Sequence, residues 1–324
     1  MYTELLVPLD GSPLADAAVP LAVDIARRLK GGIHLVRVHT PFVAFSPGAD
    51  TMAPIPDPSL DERAREESRT WLIRRAEQLR ASADIPVTAD LRVGAPVEEI
   101  VAAATDRRVQ AIVCSTHGLG GWALRWLGSV ADGVIRHAPC PVVAMSEASV
   151  ARPTDIKKVL VLHDGSAVSD EILPHAAWLA RAFGAEIELL RVVAPPWVGD
   201  SLTALTAGTE DPFGVDAFAE ASKIALEAIA AKLRREGLTV HSTVEVHLSP
   251  SRAILEHIER TNPDAVALAT YGRGLSRLLL GSVADKILRA GGRPTLFFRP
   301  PRHLVGILEN RHEAGELLTA SGPA

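Results

Sequence analysis

The pentapeptide Gly-Ser-Val-Ala-Asp at Gly128–Asp132 recurs at Gly281–Asp285, 153 residues further along the chain. The tripeptide Asp-Gly-Ser recurs as well, at Asp10–Ser12 and Asp164–Ser166, with a spacing of 154 residues. Two strings that recur at nearly the same period indicate one domain written twice. The repeat therefore decides the architecture.

The chain length of 324 residues fits this duplication, since domains commonly span about 100–200 residues. Hydrophobic residues make up 47% of the chain, which is enough for two cores. The repeat predicts a first domain at residues 1–147 and a second domain at residues 155–300, joined by a linker at Ala148–Thr154. Residues 301–324 have no counterpart in the first half and form a C-terminal tail.

The bulk composition argues against several classes of protein. A net charge of −5 argues against a nucleic-acid-binding surface, which is usually strongly basic. No run approaches the roughly 18–20 apolar residues that cross a bilayer, so we expect no membrane association. The N-terminus has no basic segment before its first apolar run, so we expect a cytoplasmic protein. Cys114 and Cys140 lie in apolar runs and are interpreted as buried free thiols, with a disulfide or redox pair as the alternative.

Strand and helix patterns alternate along each half, which predicts parallel sheets covered by helices on both faces. The expected strands are Glu4–Leu9, Ile33–His39, Val87–Val93, Gln110–Thr116 and Pro141–Met145, then Lys158–His163, Glu186–Val193, Thr239–Val246, Ala265–Thr270 and Thr295–Phe298. The expected helices are Pro13–Leu29, Leu60–Ala83, Pro96–Thr105 and Ser129–His137, then Val168–Phe183, Asp216–Glu236, Arg252–Arg260 and Val283–Arg289. The stretches Pro41–Pro58 and Ala194–Gly214 lack a clear period and are interpreted as loops.

A glycine-containing turn follows the fourth strand of the first half. It reads Ser115-Thr116-His117-Gly118, then nine residues, then Gly128-Ser129 at the start of a helix. Glycines let the backbone approach a ligand, and a helix N-terminus offers unpaired N–H groups that suit phosphate oxygens. A plain capping box, with Ser129 at the N-cap and Asp132 three residues later, explains the same residues. Both interpretations stay open, and His117 is either a phosphate donor or a structural group in the turn.

Asp10 ends the first strand, where open α/β sheets bind their ligands. Its carboxylate could accept hydrogen bonds from a ribose or an adenine, or it could only satisfy the turn amides of Gly11 and Ser12. Val38, near the end of the second strand, could pack on a base or belong to the core.

Competing motifs are missing from the sequence. It contains no Gly-x-x-x-x-Gly-Lys-Ser/Thr, no Gly-x-Gly-x-x-Gly after the first strand and no Gly-x-Ser-x-Gly. The eleven histidines show no zinc-ligand spacing. We therefore assign no catalytic residue and no metal ligand.

Several strings together resemble the universal stress protein family. They are Val7–Ser12, Leu35–Val38, Ser115–Asp132 and Arg136–Val143, with matching strings at Val161–Ser166 and Ala269–Asp285. The resemblance covers roughly residues 1–300 and identifies a tandem member. It implies an α/β fold of two Rossmann-like (adenine nucleotide alpha hydrolase-like) domains, each a five-stranded parallel sheet of order 3-2-1-4-5 flanked by helices.

The resemblance also implies an ATP site in each half. In the first half the implied nucleoside contacts are Pro8, Leu9, Asp10 and Val38, and the implied phosphate-side residues are Ser115, His117, Gly118, Gly128, Ser129 and Val130. The implied residues of the second half are Asp164, Val192, Gly272, Gly281, Ser282 and Val283. The family pattern is Gly-x-x-Gly, nine residues, then Gly-Ser or Gly-Thr. Serine and alanine replace the first glycine here, at 115 and 269, and only eight residues separate Gly272 from Gly281, so we expect the first half to bind more readily.

The resemblance favours an ATP-binding stress-response regulator or sensor, with or without Mg²⁺ and without fast catalysis. The first alternative is an interaction scaffold that no longer binds ATP. The second is an ATP-using enzyme of a related superfamily, for which Arg125 and Arg277 are the nearby cations. Prolines beside the last strand of each half suit sheet edges, so we expect the halves to pair there as a pseudo-dimer, with a homodimer as an open alternative.

Overall fold

The computed structural model describes residues 3–41, 43–45, 54–56, 58–116, 127–194, 215–270 and 281–301. The chain divides into two compact units, Met1–Val142 and Val143–Ala324. Strands alternate with helices in both, as the sequence predicts.

The first sheet has the strand order β5-β2-β1-β6-β7, which is 3-2-1-4-5 when its five strands are counted along the chain. Its strands are β1 (Glu4–Pro8), β2 (Gly32–His39), β5 (Val87–Val93), β6 (Ala111–Ser115) and β7 (Val142–Met145). The helices of this half are α1 (Pro13–Asp16), α2 (Val19–Arg28), α3 (Pro58–Ala83), α4 (Pro96–Arg107) and α5 (Ser129–His137). Strand β1 pairs in parallel with β2 and β6, and β2 pairs in parallel with β5. The predicted fold is therefore confirmed for this half.

The second sheet repeats this order as β10-β9-β8-β11-β12, with parallel pairs throughout. Its strands are β8 (Lys158–Leu162), β9 (Glu186–Val193), β10 (Val240–Val246), β11 (Ala265–Ala269) and β12 (Thr295–Phe298). The helices are α6 (Glu147–Val150), α7 (Ala167–Asp170), α8 (Leu173–Phe183), α9 (Val215–Arg235), α10 (Pro250–Thr261) and α11 (Ser282–Ala290). The repeated order confirms that one architecture occurs twice.

The central strands are buried because helices cover both faces of each sheet. Leu5, Leu6 and Val7 of β1 are fully buried, and so are Val159, Leu160 and Val161 of β8. Such continuous apolar runs are typical of parallel strands with two covered faces. The same runs made these strands recognisable in the sequence.

Two predicted helices are wrong because each is interrupted by a turn. Pro13–Leu29 forms α1 and α2, and Val168–Phe183 forms α7 and α8. Pro20 and Pro174 lie in the first turn of the second helix of each pair. A proline has no N–H to donate to the carbonyl four residues earlier, and its ring clashes with that carbonyl, so each first helix ends four residues before its proline.

Two predicted irregular segments contain regular structure. Within Pro41–Pro58, β3 (Val43–Phe45) and β4 (Pro54–Pro56) form an antiparallel pair, and this two-stranded sheet tolerates prolines because each strand is an edge. The predicted linker Ala148–Thr154 overlaps α6, where the Ser149 hydroxyl donates to the Ser146 carbonyl oxygen at 2.7 Å. The other boundaries agree within two residues. Residues 195–214 of the second loop and 302–324 of the tail lie outside the described residues.

No helix in the described part of the chain combines the length and the apolar character that a membrane span needs.

His34 is a buried polar residue on β2 with an incomplete set of hydrogen bonds. Its ring is 2% exposed, and Nδ1 lies 2.7 Å from the Thr88 hydroxyl oxygen. Its Nε2 has no partner among the described residues. Burial, followed by the positive charge of Arg107, lowers the pKa of His34 from its usual 6.5 to about 4. The fold therefore holds this ring neutral.

The free energy of unfolding is expected to fall between about pH 6.5 and pH 4 because of His34. The unfolded chain protonates the ring near pH 6.5, whereas the folded chain resists until about pH 4. The stability that the neutral His34 ring contributes is therefore complete above pH 6.5 and is lost as the pH falls. At pH 4.5 the loss is about 2–3 kcal/mol. Urea unfolding of the wild type and of His34→Gln at pH 7 and pH 4.5 measures it. Equal pH dependence in both proteins would contradict the assignment.

Candidate functional site

The order of strands in the first sheet reverses beside β1, which lies between β2 and β6. At such a switch point the carboxyl ends of parallel strands leave a crevice in which α/β proteins bind ligands. Pro8 ends β1, Val38 lies near the end of β2, and Ser115 ends β6. Leu9 extends the pairing of β1 with β2, because its N–H donates to the Val36 carbonyl oxygen at 2.8 Å. The structure therefore brings these predicted residues to one edge of the sheet.

Asp10 begins a tight turn after β1. Its Oδ1 accepts a hydrogen bond from the Ser12 N–H at 2.8 Å, and the Ser12 hydroxyl oxygen accepts from the Ala15 N–H at 3.1 Å. Ser12 is thus the N-cap of α1. Gly11 has a φ of +89°, which only glycine adopts without strain. The structural role of Asp10 is real, and a carboxylate with about four acceptor positions can still accept from a ligand.

Helix α5 begins next to the end of β6. Its N-cap residue is Gly128, whose N–H donates to the Thr116 carbonyl oxygen at 2.8 Å. Ser129 and Val130 follow at the first two helical positions and are exposed. Gly128 therefore provides no side chain to cap the first-turn N–H groups of α5.

The capping box predicted at Ser129 and Asp132 is wrong. Ser129 is not the N-cap, and the Asp132 carboxylate accepts hydrogen bonds from Arg136, with 2.7 Å between Oδ1 and Nη2. An Asp–Arg pair four residues apart on one helix face is favourable in its own right. It draws the carboxylate away from the start of the helix.

The second sheet has a related site with a similar turn, in which Gly165 has a φ of +88° and Ser166 is the N-cap of α7. Asp164 Oδ1 accepts from the Ser166 N–H at 2.9 Å and from the Ser166 hydroxyl at 2.6 Å. Burial alone would raise the pKa of Asp164, but the hydrogen bonds from Ser166 and Ser169 outweigh it and lower the pKa. Helix α11 begins at Gly281, and Val192 lies near the end of β9. The Asp164 carboxylate is therefore held within its own turn by Ser166.

Five residues singled out in the sequence fall in the segments that precede α5 and α11. His117, Gly118, Arg125, Gly272 and Arg277 lie outside the described residues. Ser282 and Val283 are the first two residues of α11, which begins one residue before the predicted start at Val283.

Two arginines at these sites were missed by the sequence reasoning. The Arg37 guanidinium carbon lies 4.7 Å from the centre of the Trp71 ring, and that of Arg191 lies 5.7 Å from the centre of the Phe218 ring. Both distances are in the range of cation–π contacts. Arg37 and Arg191 recur at the 154-residue spacing within Leu-x-Arg-Val strings, so the repeat contained a signal for them.

The remaining candidate chemistry in the described residues is limited. They contain no cluster of three or more His, Cys, Asp or Glu side chains suited to a metal ion. Cys114 and Cys140 are both free, and burial raises the pKa of each thiol to about 12. Cys140 is half-buried rather than buried as expected.

The fold and the two switch-point sites define a tandem Rossmann-like α/β protein. The chain belongs to the universal stress protein family, whose model matches residues 1–145 and 155–299. It is 30% identical over 302 residues to Universal stress protein Rv2623 of Mycobacterium tuberculosis, a match that covers 91% of this chain and 96% of that protein. It is also 30% identical over 148 residues to Universal stress protein MJ0531 of Methanocaldococcus jannaschii, covering 45% of this chain and 84% of that protein.

A solved structure supports the same fold over nearly the whole chain. The crystal structure of a universal stress protein from Archaeoglobus fulgidus superposes with a TM-score of 0.66 at 21% identity, covering 93% of this chain and 97% of that chain. The predicted family, its tandem form and its fold are confirmed.

Proposed function

We propose that this protein binds an adenine nucleotide, ATP above all, at the switch point of its first unit and acts as a cytoplasmic stress-response regulator. Pro8, Leu9, Asp10 and Val38 would hold the nucleoside, and the N–H groups at Gly128, Ser129 and Val130 would hold the phosphates. The protein would signal whether nucleotide is bound at this site, rather than turn nucleotide over rapidly.

The observation that carries this proposal is the glycine at the start of α5. Gly128 has φ −59° and ψ 142°, which any residue can adopt. The backbone conformation therefore does not require glycine there. A position without a side chain beside unpaired helix amides leaves room for an anion to approach the backbone.

The first unit fits the nucleotide better than the second. In the second unit the Ser166 hydroxyl caps α7, as the Ser12 hydroxyl caps α1, and it also donates a hydrogen bond to the Asp164 carboxylate. The eight-residue spacing before Gly281 also changes the loop that leads to α11. For the second site we therefore favour the alternative function, an interaction scaffold that no longer binds nucleotide.

The residues near the first site support slow chemistry at most. Fast phosphoryl transfer needs charge neutralisation and a positioned nucleophile. Between Gly118 and Asp132 the sequence offers one arginine, no lysine and one carboxylate. That carboxylate, Asp132, pairs with Arg136, so it is a poor candidate for holding Mg²⁺ or for orienting water.

We expect saturable binding of Mg-ATP without rapid turnover. Calorimetric titration measures the binding, and a steady-state phosphate-release assay on the same preparation measures the turnover. The turnover should lie far below the roughly 10 s⁻¹ typical of enzymes. A rate near that value that Ser129→Ala abolishes would favour the enzyme alternative. An absence of binding would favour the scaffold.

A further inference from the structure

The Arg37 side chain reaches from β2 across to the turn that follows β1. A Cβ atom added to Gly11 would lie 2.9 Å from Arg37 Nη1, so the guanidinium rests against the face of the turn that glycine leaves open. The Trp71 ring of α3 packs on the same guanidinium. Burial lowers the pKa of Arg37, and the negative charge of Asp10 offsets part of that effect. Arg37 is thus a partly buried cation that interacts with the Asp10 turn.

The second unit provides an internal comparison. Arg191 rests against Gly165 in the same way, since an added Cβ would lie 2.5 Å from its guanidinium. The supporting aromatic residue, Phe218, comes from the first turn of its helix, whereas Trp71 lies near the middle of α3. The guanidinium therefore occupies the same place against the turn glycine in both units, although a different aromatic residue packs on it. The turn aspartates differ too, because Asp164 is held by the Ser166 hydroxyl.

We propose that Arg37 is a positioning residue for the nucleoside end of the first site, acting through Asp10. This inference rests on the proposed nucleotide function. The Arg37 guanidinium lies against Gly11, next to Asp10, so it supports the turn that carries the Asp10 carboxylate. A carboxylate accepts hydrogen bonds, so the ligand groups that face it are donors, such as ribose hydroxyls or the adenine amine. Arg37 therefore contributes to the affinity for the nucleoside part of the ligand and not for its phosphates.

The test is a titration of AMP, ADP and ATP into the wild type, Arg37→Met and Arg37→Lys. Arg37→Met should weaken all three ligands by the same factor, about tenfold, which is the size of one hydrogen bond to a charged group. Arg37→Lys keeps the positive charge and can still contact the Trp71 ring, so it should recover part of the affinity that Arg37→Met loses. Asp10→Asn combined with Arg37→Met should weaken binding no more than Asp10→Asn alone, because Arg37 would act only through the turn that carries the Asp10 carboxylate.

Arg75→Met is the matched control for a purely structural effect. Arg75 is another partly buried arginine of the first unit, with Nε 2.8 Å from Asp16 Oδ1. Its replacement should lower the melting temperature and leave nucleotide affinity unchanged. Equal affinities of the wild type and Arg37→Met overturn this inference, and so does a loss that grows with the number of phosphates. A wild type that binds none of the three nucleotides overturns both this inference and the proposed function.

Discussion

Gly128→Val is expected to weaken ATP binding by about 100-fold or more while the first unit stays folded. The valine side chain would occupy the space through which phosphate oxygens approach the first-turn N–H groups of α5. Loss of two charge-assisted hydrogen bonds, at about 1.5–3 kcal/mol each, accounts for that factor. The fold should tolerate valine because the φ of −59° at Gly128 is ordinary for any residue. Calorimetric titration with ATP measures the loss.

Gly281→Val is the matched variant in the second unit. Gly281 has φ −52° at the N-cap of α11, and an added Cβ would meet no described atom within 4 Å. It should therefore fold normally and retain ATP affinity within about threefold, a change of less than 1 kcal/mol. Loss of binding from Gly281→Val with Gly128→Val unaffected would show that the nucleotide occupies the second unit. Thermal unfolding of both variants checks that neither loses its structure.

His257→Ala is expected to lower the free energy of unfolding by about 3 kcal/mol, the cost of leaving buried polar groups without their hydrogen-bond partner. The ring lies on α10 with Nε2 2.8 Å from Glu188 Oε1 and Nδ1 2.7 Å from Glu245 Oε1. The side chains of His257 and Glu188 are only 2% and 11% exposed. Alanine would leave the Glu188 carboxylate buried without its imidazole partner. Urea unfolding measures the loss.

Two further variants test the cause of that loss. His241→Ala removes an exposed ring 3.8 Å from Glu186 in the same unit, and it should cost less than about 0.5 kcal/mol. Glu188→Gln added to His257→Ala should recover part of the lost stability, because it removes the buried charge. Equal losses from His257→Ala and His241→Ala would contradict the buried-pair assignment.

The strands and their order could be predicted because local pattern and duplication both point to them. Leu5, Leu6 and Val7 form an apolar run that repeats at Val159–Val161, and all six residues are buried. The sequence also contained the signal for the two helix interruptions, namely Pro20 and Pro174. They were missed because the apolar spacing continues across each turn, and spacing alone does not show whether backbone hydrogen bonds are unbroken.

The candidate site was predictable at its backbone positions and less so at its side chains. Asp10 and Gly128 follow from strand ends and a helix start, which the sequence marks directly. The role of Asp132 was misjudged because the competing partner, Arg136, lies one turn further along the same helix. The place of Arg37 depends on the pairing of β2 beside β1 and on Trp71, 34 residues away, so only the folded chain brings them together.

The most direct measurement is mass spectrometry of the nucleotide released by denaturing protein that was dialysed against saturating Mg-ATP and then briefly against buffer without nucleotide. Adenine nucleotide should be released from the wild type in an amount comparable to the protein, and from Gly281→Val likewise. Gly128→Val should release almost none. A wild type that carries no adenine nucleotide after this dialysis would contradict the proposed function.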